Sequence, residues 1–316
     1  MTKATNVHPT DDATRQKARS GDSAELARRF SSSWKLKLLA SGSLTAAACL
    51  MATNPAFAQT IAPRNTPNQA FQATDNFVLG TGNVSISSDV DTVTINAAQT
   101  VINWTTLDTA DINATQDLIN LLPQGTSLVF QGPVNGYTVL NRILPTDNGS
   151  GQFRAVAMNG NVQSQLGVNG PIGGEVWFYS PGGILVGSDA TFDVGSLILT
   201  TNDIDTTGGL FGSNGEIRFR GAADSLSAVT IQENADIIAD NDGSYVALVA
   251  PRVTQGGEVR VNGSAAYVAA EQADLTINNG LFDISITLGT ADSVGVERVG
   301  WFLRRTNHTM RHTERR

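Results

Sequence analysis

Carboxylates are the only reactive side chains in good supply along most of this chain. Asp and Glu account for 29 of its 316 residues, whereas the single Cys is Cys49 and the three His are His8, His308 and His312. Lys3, Lys17, Lys35 and Lys37 are the only lysines, so residues 59–296 hold no Cys, His or Lys. That excludes a thiolate or imidazole nucleophile, a Schiff-base lysine and a His-ligated metal from this body. Paired carboxylates remain, and glycoside hydrolysis uses such a pair. Asp203 with Asp205 and Asp240 with Asp242 are the candidate pairs, each set among Asn, Gly and Thr, where Asp is favoured because it accepts from nearby backbone N–H groups. Residues 203–214 also space Asp203, Asp205 and Thr207 at alternate positions with Gly208 sixth, as a calcium loop does. Asn214, however, stands where that loop needs a bidentate Glu. The Gly-rich stretches 171–174 and 182–183 lack the Lys and the following helix of a phosphate loop. No metal or cofactor is expected, and the chain is read as a non-enzyme, the alternative being a β-helical carbohydrate-active enzyme.

The elements that would position these residues begin after a leader. Residues 34–58 place Lys35 and Lys37 ahead of an apolar run from 38 to 52 and an Ala56-Phe57-Ala58 cleavage site, so residues 1–58 read as an extended signal peptide cut before Gln59. An apolar run this short falls below the roughly 20 residues that span a bilayer. Cys49 follows Ala46, Ala47 and Ala48 without the Leu of a lipoprotein signal. After cleavage the chain has no Cys, and packing and backbone pairing must stabilise it without disulfides. Residues 59–296 carry seven Arg against 23 carboxylates, a balance that repels phosphate backbones and excludes a nucleic-acid partner.

Within this body short β-rich runs such as 84–86, 93–95, 127–130 and 175–178 alternate with Gly, Asn and Asp turns. A helical turn is predicted only at 114–122, before Pro123. SYVALVA at 244–250 returns as SAAYVAA at 264–270, an offset of 20, and ADIIADN at 235–241 is echoed by GEVRVNG at 257–263. A period near 20 with two or three strands per period predicts the rungs of a β-helix, and Ala247, Ala250, Ala266 and Ala269 suit a narrow interior. A β-sandwich would need no such repeat. Trp104 and Trp177 read as core or cap residues.

Three further segments resemble, in order, a known family: the amino-terminal secretion domain of two-partner-secretion exoproteins, the filamentous-haemagglutinin-like adhesins and haemolysins. VINWTTLD at 101–108 is similar to the family's early Asn-Trp segment, and VLNRIL at 139–144 to its Asn-Arg-Val motif. Residues 179–204 are similar to its Asn-Pro-Asn-Gly-Ile stretch, with Ser180 and Gly182 in place of the two Asn and Pro181, Gly183 and Ile184 retained. The resemblance runs from about Asn83 to Asp283. It implies an all-β, right-handed parallel β-helix with an amino-terminal β cap. It further implies export by the general secretion machinery and recognition by an outer-membrane β-barrel transporter of a Gram-negative bacterium. Asn103, Trp104, Asn141, Arg142 and Ser180 to Ile184 are the recognition residues it implies, and a host-cell or surface ligand the partner of an adhesin.

The domains read as a signal peptide (1–58), a secretion domain (59–290) and a basic, irregular tail (291–316) ending RRTNHTMRHTERR. That tail departs from the composition of the body and is read as the product of a frameshift or premature stop. A non-functional remnant is then a further alternative, and coding sequence for more β repeats in another frame beyond the stop codon would test it.

Overall fold

The computed structural model describes residues 60–147, 149–278 and 281–298, and the backbone of 301–304. The leader with Ala56, Ala58 and Gln59, and residues 148 and 305–316, lie outside this set. Among the described residues every regular element is a β-strand. The strands wind into a parallel β-helix with three faces. The first face stacks Gln99–Thr106, Thr138–Leu144, Glu175–Tyr179, Ser196–Thr200, Tyr245–Ala250 and the first half of Ser264–Asn278. The second stacks Ile119–Leu122, Val156–Met158, Ile184–Val186, Ala228–Ile231, Arg252–Gln255 and Val296–Arg298. The third runs from Val90–Ile95 through Ser127–Gly132, Asn161–Leu166, Thr191–Asp193, Asp236–Ala239 and Glu258–Val261 to Trp301–Arg304. Six complete rungs result, and Trp301–Arg304 opens a seventh.

The sequence repeat is real, but one of its two alignments is off by a residue. Asp236 pairs with Glu258, as the echo of 235–241 in 257–263 requires. Tyr245, in contrast, pairs with Ser264 and Val246 with Ala265, an offset of 19 and not 20. A slip of one residue exchanges the two sides of a strand. Ala247 pairs with Ala266 and Ala250 with Ala269, and the three-residue spacing puts the two pairs on opposite sides of the strand: Ala247 and Ala266 point out of the β-helix, whereas Ala250 belongs to its inner core. The helical turn expected at 114–122 is also absent: residues 112–114 form a turn and Ile119–Leu122 is a strand. Ile119, Leu121 and Leu122 are all buried there, and pairing with Val156–Met158 outweighs a local helical pattern too short to be stable by itself. Winding continues past residue 290, because Val296–Arg298 and Trp301–Arg304 lie within the segment read as an irregular tail. Strands of three or four residues are too short to carry a periodic signal.

Two cores hold the molecule. Inside, aromatic rings climb the helix axis, with Phe130 edge-on to Phe178 at 6.2 Å and Phe178 tilted against Phe192 at 6.3 Å. Outside the first face lies an antiparallel sheet of Asp203–Ile204, Glu216–Arg220, the returning half of Ser264–Asn278 and Leu281–Gly289. Its Ile217, Phe219, Ala273 and Leu275 cover the outward Val101, Leu140, Trp177, Ile198, Ala247 and Val249. This explains why Ser196–Thr200 and Tyr245–Ala250 are buried on both sides, whereas Val90–Ile95 alternates.

The amino-terminal end is closed on all three faces. Ala73–Leu79 and Gly82–Ser85 add antiparallel to the first and third faces, and Ile61 bridges Leu118 at the edge of the second. Phe71 plugs the interior edge-on to Trp104 at 4.8 Å. The fully buried Asp91 carboxylate fixes this plug by accepting from the backbone N–H of Ala70 (3.3 Å), Phe71 (2.9 Å) and Ser87 (2.9 Å).

Candidate functional site

The residues that carry the family resemblance fall into two groups. In the first, Gln99–Thr106 and Thr138–Leu144 alternate sides, placing Trp104 and Asn141 inside the helix and Asn103 beside Arg142 on its outer side. Asn141 is fully buried. Its Oδ1 accepts from the Trp104 indole N–H at 3.0 Å, and its Nδ2 donates to the Trp177 carbonyl at 3.1 Å. An indole can only donate and a carbonyl only accept, so the two partners fix the amide orientation and tie three successive rungs together. Arg142 works outward. Its Nε meets Asp203 Oδ1 at 2.8 Å and its Nη2 donates to the Ile204 carbonyl at 2.6 Å, pinning the first strand of the outer sheet. Burial pushes the Asp203 carboxyl up, and the Arg142 charge opposes that rise without cancelling it.

The second group, Ser180 to Ile184, turns the chain from the first face to the second. Gly183 N–H donates to the Ser180 carbonyl at 3.3 Å, and the neighbouring corners grip the turn: Ser227 Oγ donates to the Pro181 carbonyl at 2.6 Å and Val156 N–H to the Gly183 carbonyl at 3.1 Å. Ser180 is buried and its N–H donates to the Thr200 carbonyl at 3.1 Å, while Ile184 enters the inner core. Gly183 has φ +125°, where L side chains are strained. At Gly182 a Cβ would come 2.6 Å from the Phe153 carbonyl oxygen and nearer still to that of Arg154, so the backbones leave no room for a side chain.

Arg154, which sequence reasoning missed, anchors this corner. It is buried, pairs with Asp108 at 2.9 Å and donates to the carbonyls of Asp117 (2.8 Å) and Ala110 (3.1 Å). The scarcity of Arg was the available signal. Of the seven in the body, six hold an Asp: Arg142 with Asp203, Arg154 with Asp108, Arg218 with Asp205, Arg220 with Asp274, Arg252 with Asp292 and Arg260 with Asp236. Asp203 and Asp205, candidates for catalysis and for calcium, are thus each engaged by an arginine.

Among the described residues a groove of about 520 Å³ follows the corner between the third and first faces. Its polar lining gathers Glu175 and Asp242, carboxylates far apart in sequence, with Tyr137, Thr138 and Ser196. Burial raises the Glu175 carboxyl above its ordinary 4.5, against hydrogen bonds from Thr138 Oγ1 at 2.7 Å and from Tyr245. A carboxyl raised in the folded state stabilises fully below its unfolded value and loses that contribution as pH rises through the folded one. Glu175→Gln should therefore match the parent's thermal midpoint near pH 4 and exceed it increasingly as pH rises toward 8. A midpoint difference that stays constant over that range would refute the assignment.

No protein-family model and no curated protein matches this chain. Among solved structures it is similar to the HMW1 secretion domain from Haemophilus influenzae, with 20% sequence identity and a TM-score of 0.49 over 72% of this chain and 52% of that one. The chain spans about half the length of that structure.

Proposed function

We propose that this chain is an exoprotein of the two-partner secretion type, sent across the inner membrane by the general secretion machinery and passed to an outer-membrane β-barrel transporter. In this reading the domain starts the winding of a secreted, adhesin-type β-helix that presents a surface to a host cell. The observation that carries it is the closed amino-terminal end of the helix, from which the later rungs stack in parallel. Antiparallel strands cover the first and third faces there, and the parallel bridge between Ile61 and Leu118 covers the edge of the second. Repeats of a solenoid contact only their neighbours, so winding that starts at this capped end can propagate rung by rung.

The placement of the motif residues fits the same sequence of events. Asn141, Trp104 and Ser180 are buried in the folded domain, so a transporter reads them in the extended chain, by strand pairing or through polar turns. Once outside, the same residues lock the rungs. Native cells carrying or lacking the adjacent transporter gene provide the test. Parent protein should reach the medium only with the transporter. Asn141→Ala, Arg142→Ala and disruption of 181–184 should reduce release about tenfold with signal cleavage unchanged. Transporter-independent retention in the periplasm, or equal release of parent and variants, would overturn the reading.

A further inference from the structure

The groove at the corner between the third and first faces holds negative charge with no positive charge in its lining. It crosses four successive rungs, at 134–138, 173–175, 195–196 and 241–244. Glu175 stands midway, in register with Thr138 on one side and Ser196 on the other, and Asp242 is the second carboxylate of a described lining without Lys, Arg or His. The way Glu175 is held sets it apart. Asp108, Asp203 and Asp292 each meet an arginine, and Asp91 accepts from three backbone N–H groups. Among the described residues the Glu175 carboxylate accepts only from hydroxyls, those of Thr138 at 2.7 Å and of Tyr245, and neutral donors hold a carboxylate about half as strongly as charged ones. A second polar group here is also unused. Tyr137, 4% exposed, carries its hydroxyl against Gly174 in the groove wall, where a Cβ would stand 2.8 Å from that oxygen, and completes no hydrogen bond of good geometry with the nearby Ser164 or Gln165.

We propose that this groove binds a primary ammonium on an unbranched apolar stem, the chemistry of a lysine side chain, with Glu175 as its counter-ion. Charge decides the sign, because two carboxylates without a cation repel an anion and attract a positive partner. The bonds already made decide the form of that partner. Thr138 and Tyr245 occupy part of the Glu175 acceptor edge, which obstructs the two-pronged fork of a guanidinium, whereas a compact ammonium needs one oxygen only. Ala98, Val134 and Leu166 supply an apolar wall for the stem, and Val134 is 70% exposed at the rim. The body does not supply the cation itself. Residues 59–296 hold no Lys, six of their seven arginines are engaged by Asp, and the seventh, Arg64, donates to the carbonyls of Gln69 and Ser88. The occupant is thus a group from outside this body, and the proposal stands apart from the reading of export above.

The test titrates n-pentylammonium chloride into the full chain while the Trp177 indole N–H resonance is followed. That N–H donates to the Tyr245 hydroxyl at 2.9 Å, and Tyr245 is hydrogen-bonded to Glu175, so a cation that engages Glu175 is read at a buried ring it does not touch. A saturable shift with a dissociation constant on the order of 1 mM is expected, and n-pentanol, with the same stem and no charge, should bind at least about tenfold more weakly. Glu175→Gln should weaken pentylammonium by about tenfold or more. This variant is expected above to be at least as stable as the parent, so its loss of binding does not report unfolding. The peptide acetyl-Ala-Lys-Ala-amide distinguishes the sources of the ammonium: saturation of the same shift at lower concentration assigns the groove to a peptide side chain, and weaker binding than pentylammonium assigns it to a free amine. Absence of a saturable shift below about 20 mM pentylammonium, equal binding of n-pentanol, or equal affinity of Glu175→Gln and parent overturns the proposal. Transporter-dependent release reports separately on export.

Discussion

Asn141→Ala is expected to lower the unfolding free energy by about 3 to 5 kcal/mol, from an orphaned buried donor and acceptor together with an unfilled volume. The Trp104 indole N–H and the Trp177 carbonyl both lose their partner in the inner core, where water does not replace it. Against a total of roughly 5 to 15 kcal/mol for a folded domain, this leaves a marginal protein. Asn141→Leu restores volume but not the bonds, and should recover less than half of the loss. Trp104→Phe combined with Asn141→Leu removes donor and acceptor together, so it should cost less than the sum of the two single changes, a coupling that a double-mutant cycle in denaturant measures. A denaturation midpoint for Asn141→Ala within error of the parent would show that Asn141 is not the tie between rungs.

Gly182→Asn restores the residue found in the family motif, yet it should destabilise this chain by on the order of 3 kcal/mol. The cause is steric alone. Gly182 does not adopt a left-handed φ, but a side chain there meets the carbonyls of Phe153 and Arg154 in the rung before. Those carbonyls cannot retreat easily, because the Arg154 side chain is itself fastened to Asp108, Asp117 and Ala110. Pro181→Ala in the same turn keeps the Ser227 hydrogen bond to the backbone and should cost less than about 1 kcal/mol through the unfolded chain. Thermal midpoints of the two variants that coincide would sink the explanation.

Much of the architecture was legible because its signals are local. The echo of 235–241 in 257–263 gave the correct register on the third face, where inward and outward residues alternate and a slip would show. On the first face the same method slipped by one, and for a reason. Tyr245–Ala250 is apolar on both sides, so its sequence does not say which side is inward. The second apolar side has a cause far away in the chain, the outer sheet built from residues 203–220 and 270–289, and no periodicity within the strand points there. The candidate residues show the same division. Their type at a turn or in a strand was readable. That Asn141 would join two tryptophans, or that Arg142 would reach Asp203 across 61 positions, depends on which rungs become neighbours.

A bare solenoid touches only its nearest neighbours and can fray one repeat at a time. The outer sheet removes that freedom here. The Arg142–Asp203 pair, the strand pairing of Glu216–Arg220 with Ser264–Asn278 and the Tyr245–Phe282 contact link early turns to late ones across the intervening repeats. Cooperativity is the consequence: the described body should melt as one unit in a single calorimetric transition, and it cannot be half-wound while any end of that outer sheet is still unplaced.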